Sequence, residues 1–410
     1  MLGTMSRSDE LTRRAGAVTA RSFEAPPDAA AAFAHLCAVN RRAPAAGPTL
    51  VAGRRLWLYG AGNLGRLARA HLDHVGQPIA GVVDRDPAGH RGAPEWAGLD
   101  IRHPAEVLPG EKAGALLAVS IVTSPFAPLA AGLRAEGWQT VVPFYDVAEA
   151  FRHVHPLSNG WFAERLAETG LAMAERVLEG FADDVSRAHH LAFAAYRLAR
   201  EEWSFVGAPV TPGDRFFIAE ALAALRPGER ILDGGAHHGE LLPRFFAACA
   251  GRPDRLFAVE PDPASLAAID AARAGWPREV TERVSVVDAV LADRAGPVRF
   301  HAGLGYASQI APTGAAEREA TTIDALDVRP TIVKLHLEGG ELAALKGAAA
   351  TIARHRPILM LTTYHDAAGL VETPLYLMTA LEDYAVFMRA HGFCGTGTVL
   401  YAIPKERMSR

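Results

Sequence analysis

Cysteine is scarce in this sequence. Its 410 residues hold three, Cys37, Cys249 and Cys394, far apart and odd in number. That argues against a disulfide framework and against a cysteine zinc site, and it points to a reducing, cytoplasmic setting. Charge of one sign is not in excess either: 42 Lys and Arg against 46 Asp and Glu leave a net charge of −4. No electrostatic case exists for nucleic acid as the main partner. No apolar run reaches the ~18 residues of a membrane-spanning helix. Met1 to Arg14 carry charges of both signs with no apolar block behind them, unlike a secretory signal.

What is present is a globular composition, 50% hydrophobic and 21% charged, in a chain too long for one ordinary core. The pattern predicts an α/β protein with two doubly wound, Rossmann-like units joined by a helical segment. Residues 1–50, rich in Ala, Arg and Pro, read as a leader, partly disordered, with one short helix around Ala29–Val39. Residues 51–150 read as the first unit, 151–205 as a helical connector and 206–410 as the second unit. Strands are expected at Leu56–Tyr59, Ile79–Val83, Leu116–Val122 and Thr140–Pro143. In the second unit they are expected at Arg230–Leu232, Leu256–Val259, Val284–Val287, Thr331–Leu335, Pro357–Leu361 and Thr398–Ile403. Expected helices include Ala163–Phe181, Arg187–Glu202, Glu240–Ala250, Ala264–Ala274, Gly340–His355 and Leu375–His391. Strand–helix alternation of this kind means parallel sheets covered on both faces.

A doubly wound sheet binds ligands at the carboxyl ends of its strands. The first strand of the second unit delivers Asp233, Gly234, Gly235 and Ala236. Small residues let the backbone turn and approach a ligand. The next strand ends at Glu260, where a carboxylate can accept both ribose hydroxyls of an adenosine. Asp288, after the third strand, is placed to meet the adenine amino group. The loop lacks the Gly-x-Gly-x-x-Gly that receives a pyrophosphate. S-Adenosylmethionine carries no phosphate and fits such a loop.

The segments Arg230–Glu240, Val259-Glu-Pro-Asp262, Thr321-Thr-Ile-Asp324 and Lys334–Gly347 together resemble the FkbM family of methyltransferases. Tyr364-His365-Asp366 and the ending Thr398–Ala402 resemble one bacterial branch. The likeness covers roughly residues 183–404. It implies a class I methyltransferase fold, S-adenosylmethionine as cofactor, and O-methylation of a hydroxyl on a sugar, glycan or secondary metabolite. One departure stands out: where the family pattern has aspartate after Lys334, this chain has His336.

Transfer of a methyl group to an alcohol requires an aligned acceptor oxygen and a place for its proton. Histidine suits the second task, with an unperturbed pKa of about 6.5. His336 and His365, at the ends of adjacent strands, are the candidate catalytic residues. Glu338 is positioned to orient one of them or to bind the acceptor. The alternatives are structural: polar residues satisfied in a site that no longer reacts, and Glu338 as a negative charge at a helix start. His336-x-Glu338 has the zinc-deaminase spacing, but no Pro-Cys-x-x-Cys accompanies it. Magnesium on His336, Glu338 and His365 runs against its preference for oxygen ligands, so no metal is expected.

In the first unit, Leu56 to Gly65 places Gly60, Gly62 and Gly65 between a strand and a helix, with Asp84 at the end of the second strand. That is the context of a dinucleotide fingerprint. The stretch from Gly81 to Pro104 resembles nucleotide-binding domains attached to sugar-modifying enzymes, so the ligand is NAD(P) or a nucleotide-sugar. The alternative is a degenerate unit kept as scaffold or as the surface of a homo-oligomer. Two rival functions therefore stay open: an NAD(P)-dependent oxidoreductase or epimerase, and a non-catalytic cofactor-binding scaffold.

Overall fold

The computed structural model describes residues 18–44, 47, 53–303 and 305–408. The tail expected over residues 1–17 lies outside the described residues. The expected leader helix forms at Ala29–Arg42, started by Asp28, whose side chain accepts the Ala31 N–H at 2.8 Å. A strand not foreseen from sequence precedes it, β1 (Thr19–Phe23). Four of its five residues are exposed, which leaves no alternating apolar pattern to read.

The first sheet contains β2 (Arg55–Tyr59), β3 (Gly81–Val83), β4 (Ile101–Arg102), β5 (Ala115–Val119) and β6 (Thr140–Pro143). Its order is β4-β3-β2-β5-β6, parallel throughout. Helices on both faces explain why β5 is buried along its whole length and reads as an unbroken apolar run. The strand order reverses at β2, so the loop after it opens at a switch point.

The connector folds as two helices, Glu168–Gly180 and Asp184–Ala199, followed by β7 (Glu201–Phe205), which pairs in parallel with β1. The expected helix to Glu202 stops at Ala199 because Arg200 adopts a left-handed conformation, φ 52°. Leu191, Ala195 and Leu198 share one core with Leu36, Val333 and Leu361, so the connector is built into the second unit. Arg197, fully buried, donates to the carbonyls of Asn159, Trp161, Tyr364 and Gly395, at 2.7–3.0 Å. It fastens the connector to the strand ends that carry the site.

The second unit runs through β8 (Arg230–Gly234), β9 (Arg255–Val259), β10 (Val284–Val287), β11 (Val290–Leu291), β12 (Gly296–His301), β13 (Gln309–Ile310), β14 (Ala316–Thr321), β15 (Ile332–Leu335), β16 (Ile358–Thr362), β17 (Tyr384–Ala390) and β18 (Thr398–Pro404). Its main sheet has seven strands ordered β10-β9-β8-β15-β16-β18-β17. Only β18 runs antiparallel to its neighbours in that sheet. This is the class I methyltransferase arrangement. β11, β14, β12 and β13 form a separate small sheet inserted between β10 and β15, which the sequence reading did not resolve.

Two expected helices differ in the structure. Gly340–His355 is two helices, Glu341–Lys346 and Ala349–His355, and the second is started by Asp324, which accepts the N–H groups of Ala350 and Thr351. Leu375–His391 is a helix only over Glu372–Ala380; Asp383, φ 55°, turns the chain into β17. The apolar run Tyr384–Met388 then packs as a strand against β18.

Candidate active site

The loop after β8 is held by an ion pair beneath it. Asp233, wholly buried, meets Lys334 Nζ at 2.6 Å, and the same ammonium donates to the Gly235 carbonyl at 2.9 Å. Asp233 therefore braces the loop from below instead of facing a ligand. The N–H groups of Gly235 and Ala236 donate to the Val259 carbonyl at 2.9 and 3.2 Å. Gly235 has φ 70°, and a Cβ there would lie 2.0 Å from the His336 carbonyl oxygen. Glycine lets this loop lie against the end of β15.

Glu260 closes the other side. Its carboxylate accepts the His237 N–H at 2.7 Å and the Asp262 N–H at 2.9 Å. Burial raises its pKa to about 7, against the downward pull of those two hydrogen bonds. Glu260 lines a cleft together with Gly235, Val259, Ala289 and Leu291. A carboxylate has about four acceptor positions, so two remain for ribose hydroxyls. A buried acid, a loop of small residues and apolar walls fit the adenosine of a methyl donor.

Asp288 departs from expectation. It is exposed and ion-paired with Arg318 of β14, and Ala289 takes the place at the cleft wall. Asp262 proves more important than its place in the motif suggested. Oδ1 caps the helix Pro263–Arg273, while Oδ2 accepts from Gly303 N–H at 2.6 Å and Ser308 Oγ at 2.7 Å. One buried side chain thus ties the inserted sheet over the cleft, where Phe300, Ser308 and Ile310 form its roof.

The ends of β15 and β16 bring the three candidate catalytic residues together. His336 Nε2 and His365 Nε2 each lie 3.1 Å from the same oxygen of Glu338. Glu338 reaches this position through a left-handed backbone, φ 50°, a strained conformation for a residue with a side chain. His365 Nδ1 lies 2.9 Å from Glu341, which also accepts from Thr362 Oγ1 and from the Leu337 and Gly339 N–H groups. Burial pushes the His365 pKa down, but Glu338 and Glu341 on either side reverse this and hold it well above the usual value. Burial would raise both carboxylates, and the His365 charge more than offsets it, holding Glu341 at about 2 and Glu338 lower still. His336 is lowered to about 3, by burial first and then by Arg215. It stays neutral, with a lone pair to offer. Its side chain is the exposed member of the trio, 19% against 4% and 1%.

Two further residues had no role assigned from sequence. The Tyr364 hydroxyl stands 3.3 Å from His336 Nε2 and accepts from Arg215 at 2.9 Å. Tyr364 lay inside a quoted motif; Arg215 carried no motif. Both line a second, larger cleft between the two sheets. Asn63, Arg66 and Glu95 of the first unit form one wall. Gly235, His237, His336 and Glu338 line both clefts, so the two meet at the catalytic candidates.

The first unit repeats the donor-loop geometry. Asp84 accepts the Ala61 N–H at 2.7 Å and the Asp86 N–H at 2.8 Å, as Glu260 does from His237 and Asp262. Gly60 N–H donates to the Val83 carbonyl at 2.9 Å. At Gly65 a Cβ would fall 2.1 Å from the Gly60 carbonyl, so only glycine lets the helix Asn63–His74 start there. Gly62 caps that helix, and Trp96 closes the loop by donating to the Ala61 carbonyl at 3.2 Å.

Residues 233–393 match the Methyltransferase FkbM domain. The crystal structure of methyltransferase FkbM from Methylobacillus flagellatus KT aligns with 92% of this chain and 100% of its own, with a TM-score of 0.57 and 20% identity, a likeness of fold. A precorrin-6y C5,15-methyltransferase from Geobacter metallireducens GS-15 aligns at a TM-score of 0.28 and 16% identity over 47% of this chain and 91% of its own. Arginine deiminases of Rhodococcus opacus and Rhodococcus jostii are 38% identical over 79 residues, 19% of this chain and 19% of theirs. The chain thus spans about a fifth of the curated relatives it matches, too little to carry their activity. The FkbM match supports S-adenosylmethionine and gives no support to NAD(P). Among the described residues, no helix is long and apolar enough to cross a membrane. The C-terminal part of the chain thus matches the FkbM methyltransferase domain, a match that implies S-adenosylmethionine-dependent methyl transfer.

Proposed function

We propose that the protein O-methylates a hydroxyl of a sugar, glycan or secondary metabolite that enters through the cleft between the two units. The observation that carries this reading is the meeting of the two clefts at His336 and Glu338. S-Adenosylmethionine supplies a methyl group on a positively charged sulfur. Glu260 and the Gly235 loop hold its adenosine, and the roof tied down by Asp262 keeps water out. The acceptor oxygen forms the new O–CH3 bond as the S–CH3 bond breaks and sulfur keeps the bonding pair. The hydroxyl proton is taken up at the cluster, where His336 is neutral and its side chain is the most exposed of the three. Holding the oxygen in line is worth ~7–11 kcal/mol of barrier, and a placed base a further ~10²–10⁴-fold in rate.

The cleft favours an acidic acceptor. Arg215 and Arg244 line it, and among the described residues neither has a carboxylate partner. With the start of the helix Asn63–His74 opposite, a phosphate-bearing acceptor such as a nucleotide-sugar suits this wall. The test is release of S-adenosylhomocysteine on incubation with panels of free sugars, sugar phosphates and nucleotide-sugars. Turnover with the phosphorylated panels supports the reading. Binding of S-adenosylmethionine with no turnover on any hydroxylated acceptor would favour a non-catalytic scaffold.

A further inference from the structure

The geometry points to a divalent transition-metal site at His336, Glu338 and His365, with its open position facing the acceptor cleft. Their ligand atoms lie within 4.8 Å of one another. Each Nε2 is 3.1 Å from the Glu338 oxygen. A tetrahedral ion with bonds of 2.0–2.1 Å sets its ligand atoms about 3.3 Å apart, so both contacts to Glu338 already fit, and the wider spacing in the group, up to 4.8 Å, has to close by about 1.5 Å to seat it. Two imidazoles and one carboxylate are the donor set of catalytic zinc and of other first-row divalent ions, and a poor one for magnesium or calcium.

Three further observations support the site. His365 Nδ1 faces Glu341 at 2.9 Å, the arrangement in which a carboxylate orients a ligating histidine and presents its other nitrogen. Glu341 is itself fixed by Thr362 and by two backbone N–H groups. Glu338 adopts a strained left-handed backbone, and its second oxygen is buried with no hydrogen-bond partner among the described residues. Two buried carboxylates, Glu338 and Glu341, face this one cluster, and a dication balances both as it displaces the proton that His365 otherwise holds between them. The histidine that replaces the family's aspartate completes the set.

The inference rests on the reading that places the acceptor hydroxyl here, and it changes one step of it. The hydroxyl oxygen occupies the ion's open position, and coordination lowers its pKa, as it takes bound water from 15.7 to ~7. Its proton passes to water in the cleft instead of to His336. The metal-held oxygen then forms the O–CH3 bond, the S–CH3 bond breaks, and sulfur keeps the pair. No oxidation or reduction takes place.

The test starts from full-length protein stripped with a chelator and dialysed, titrated with Zn²⁺ by calorimetry and with Co²⁺ by visible absorption. The site predicts one ion per chain and the absorption bands of four-coordinate cobalt. His336→Ala and Glu338→Gln each weaken binding by about a hundredfold, and Glu341→Gln by about ten- to a hundredfold. A native far-ultraviolet circular dichroism spectrum and a cooperative urea transition in His336→Ala and Glu338→Gln show that they fold. His74→Ala, in the separate group of His71, His74 and His155 rings, leaves ion binding as it was. Binding that survives His336→Ala, or that is lost in His74→Ala, overturns the site. Methyl transfer that persists unchanged in metal-free protein overturns the metal step while leaving the O-methylation reading intact. Stoichiometric, His336-dependent ion binding without methyl transfer supports the site and removes that reading.

Discussion

Replacing Glu260 by glutamine, with donor binding followed across pH, tests the donor side of the site. Burial raises the Glu260 pKa to about 7 in the ligand-free protein. The sign follows from that direction. A carboxyl with a raised folded pKa contributes stability below its unfolded pKa, and this is lost as pH rises through about 7. Ribose hydroxyls reverse the preference, because they donate to the ionised form. Donor affinity must therefore rise with pH. At pH 6 roughly one carboxyl in eleven is ionised, and at pH 8 roughly nine in ten, so the dissociation constant should tighten about tenfold between them. In Glu260→Gln that dependence vanishes. Loss of one charge-assisted hydrogen bond, about 1.5–3 kcal/mol, weakens binding by about ten- to 150-fold at pH 8. Calorimetric titration with S-adenosylmethionine at pH 6, 7 and 8 measures both effects. A flat profile in the wild type, or glutamine binding as tightly as glutamate at pH 8, would refute the ribose assignment.

Other predictions probe the remaining parts of the site. His336→Ala should lower kcat by about 10²–10⁴-fold with little change in donor affinity, seen by pairing turnover with calorimetry; equal loss of both would place His336 in donor binding. Lys334→Ala strands the buried Asp233 carboxylate and should cost about 3–5 kcal/mol in urea denaturation, while the double variant Lys334→Met, Asp233→Leu recovers much of it. A cost below about 1 kcal/mol for the single change would show that the pair does not brace the loop. Asp262→Ala removes a helix cap worth about 0.5–2 kcal/mol and frees the inserted sheet. Hydrogen exchange over residues 296–321 should then speed up, whereas unchanged protection would mean that the sheet is held elsewhere.

The features legible in the sequence are those that backbone geometry imposes locally. The Gly60 and Gly235 loops had to be small because each lies against a neighbouring strand end. Asp84 and Glu260 had to be acidic because each accepts the N–H groups of its loop. The fold class and most strands followed from apolar runs buried on both faces. Partners set by distant segments were not legible. Asp288 turns to Arg318, thirty positions away, and Arg215 reaches the site through the Tyr364 hydroxyl. The strands of the inserted sheet are short or, like β12 and β14, half exposed, and they carry no long apolar signal. β17 was read as helix because its apolar residues directly continue those of the preceding helix, and only the turn at Asp383 separates them. The cleft between the two units belongs to tertiary packing, and its wall residues Arg66 and Arg244 look like ordinary surface arginines until the sheets face each other.

The most direct test of the account is a crystal structure with S-adenosylhomocysteine bound. The account predicts both ribose hydroxyls on the Glu260 carboxylate and the sulfur turned toward His336 and Glu338, at the junction of the two clefts. A ligand seated at the Gly60–Gly65 loop, or one whose sulfur points away from His336, would contradict it.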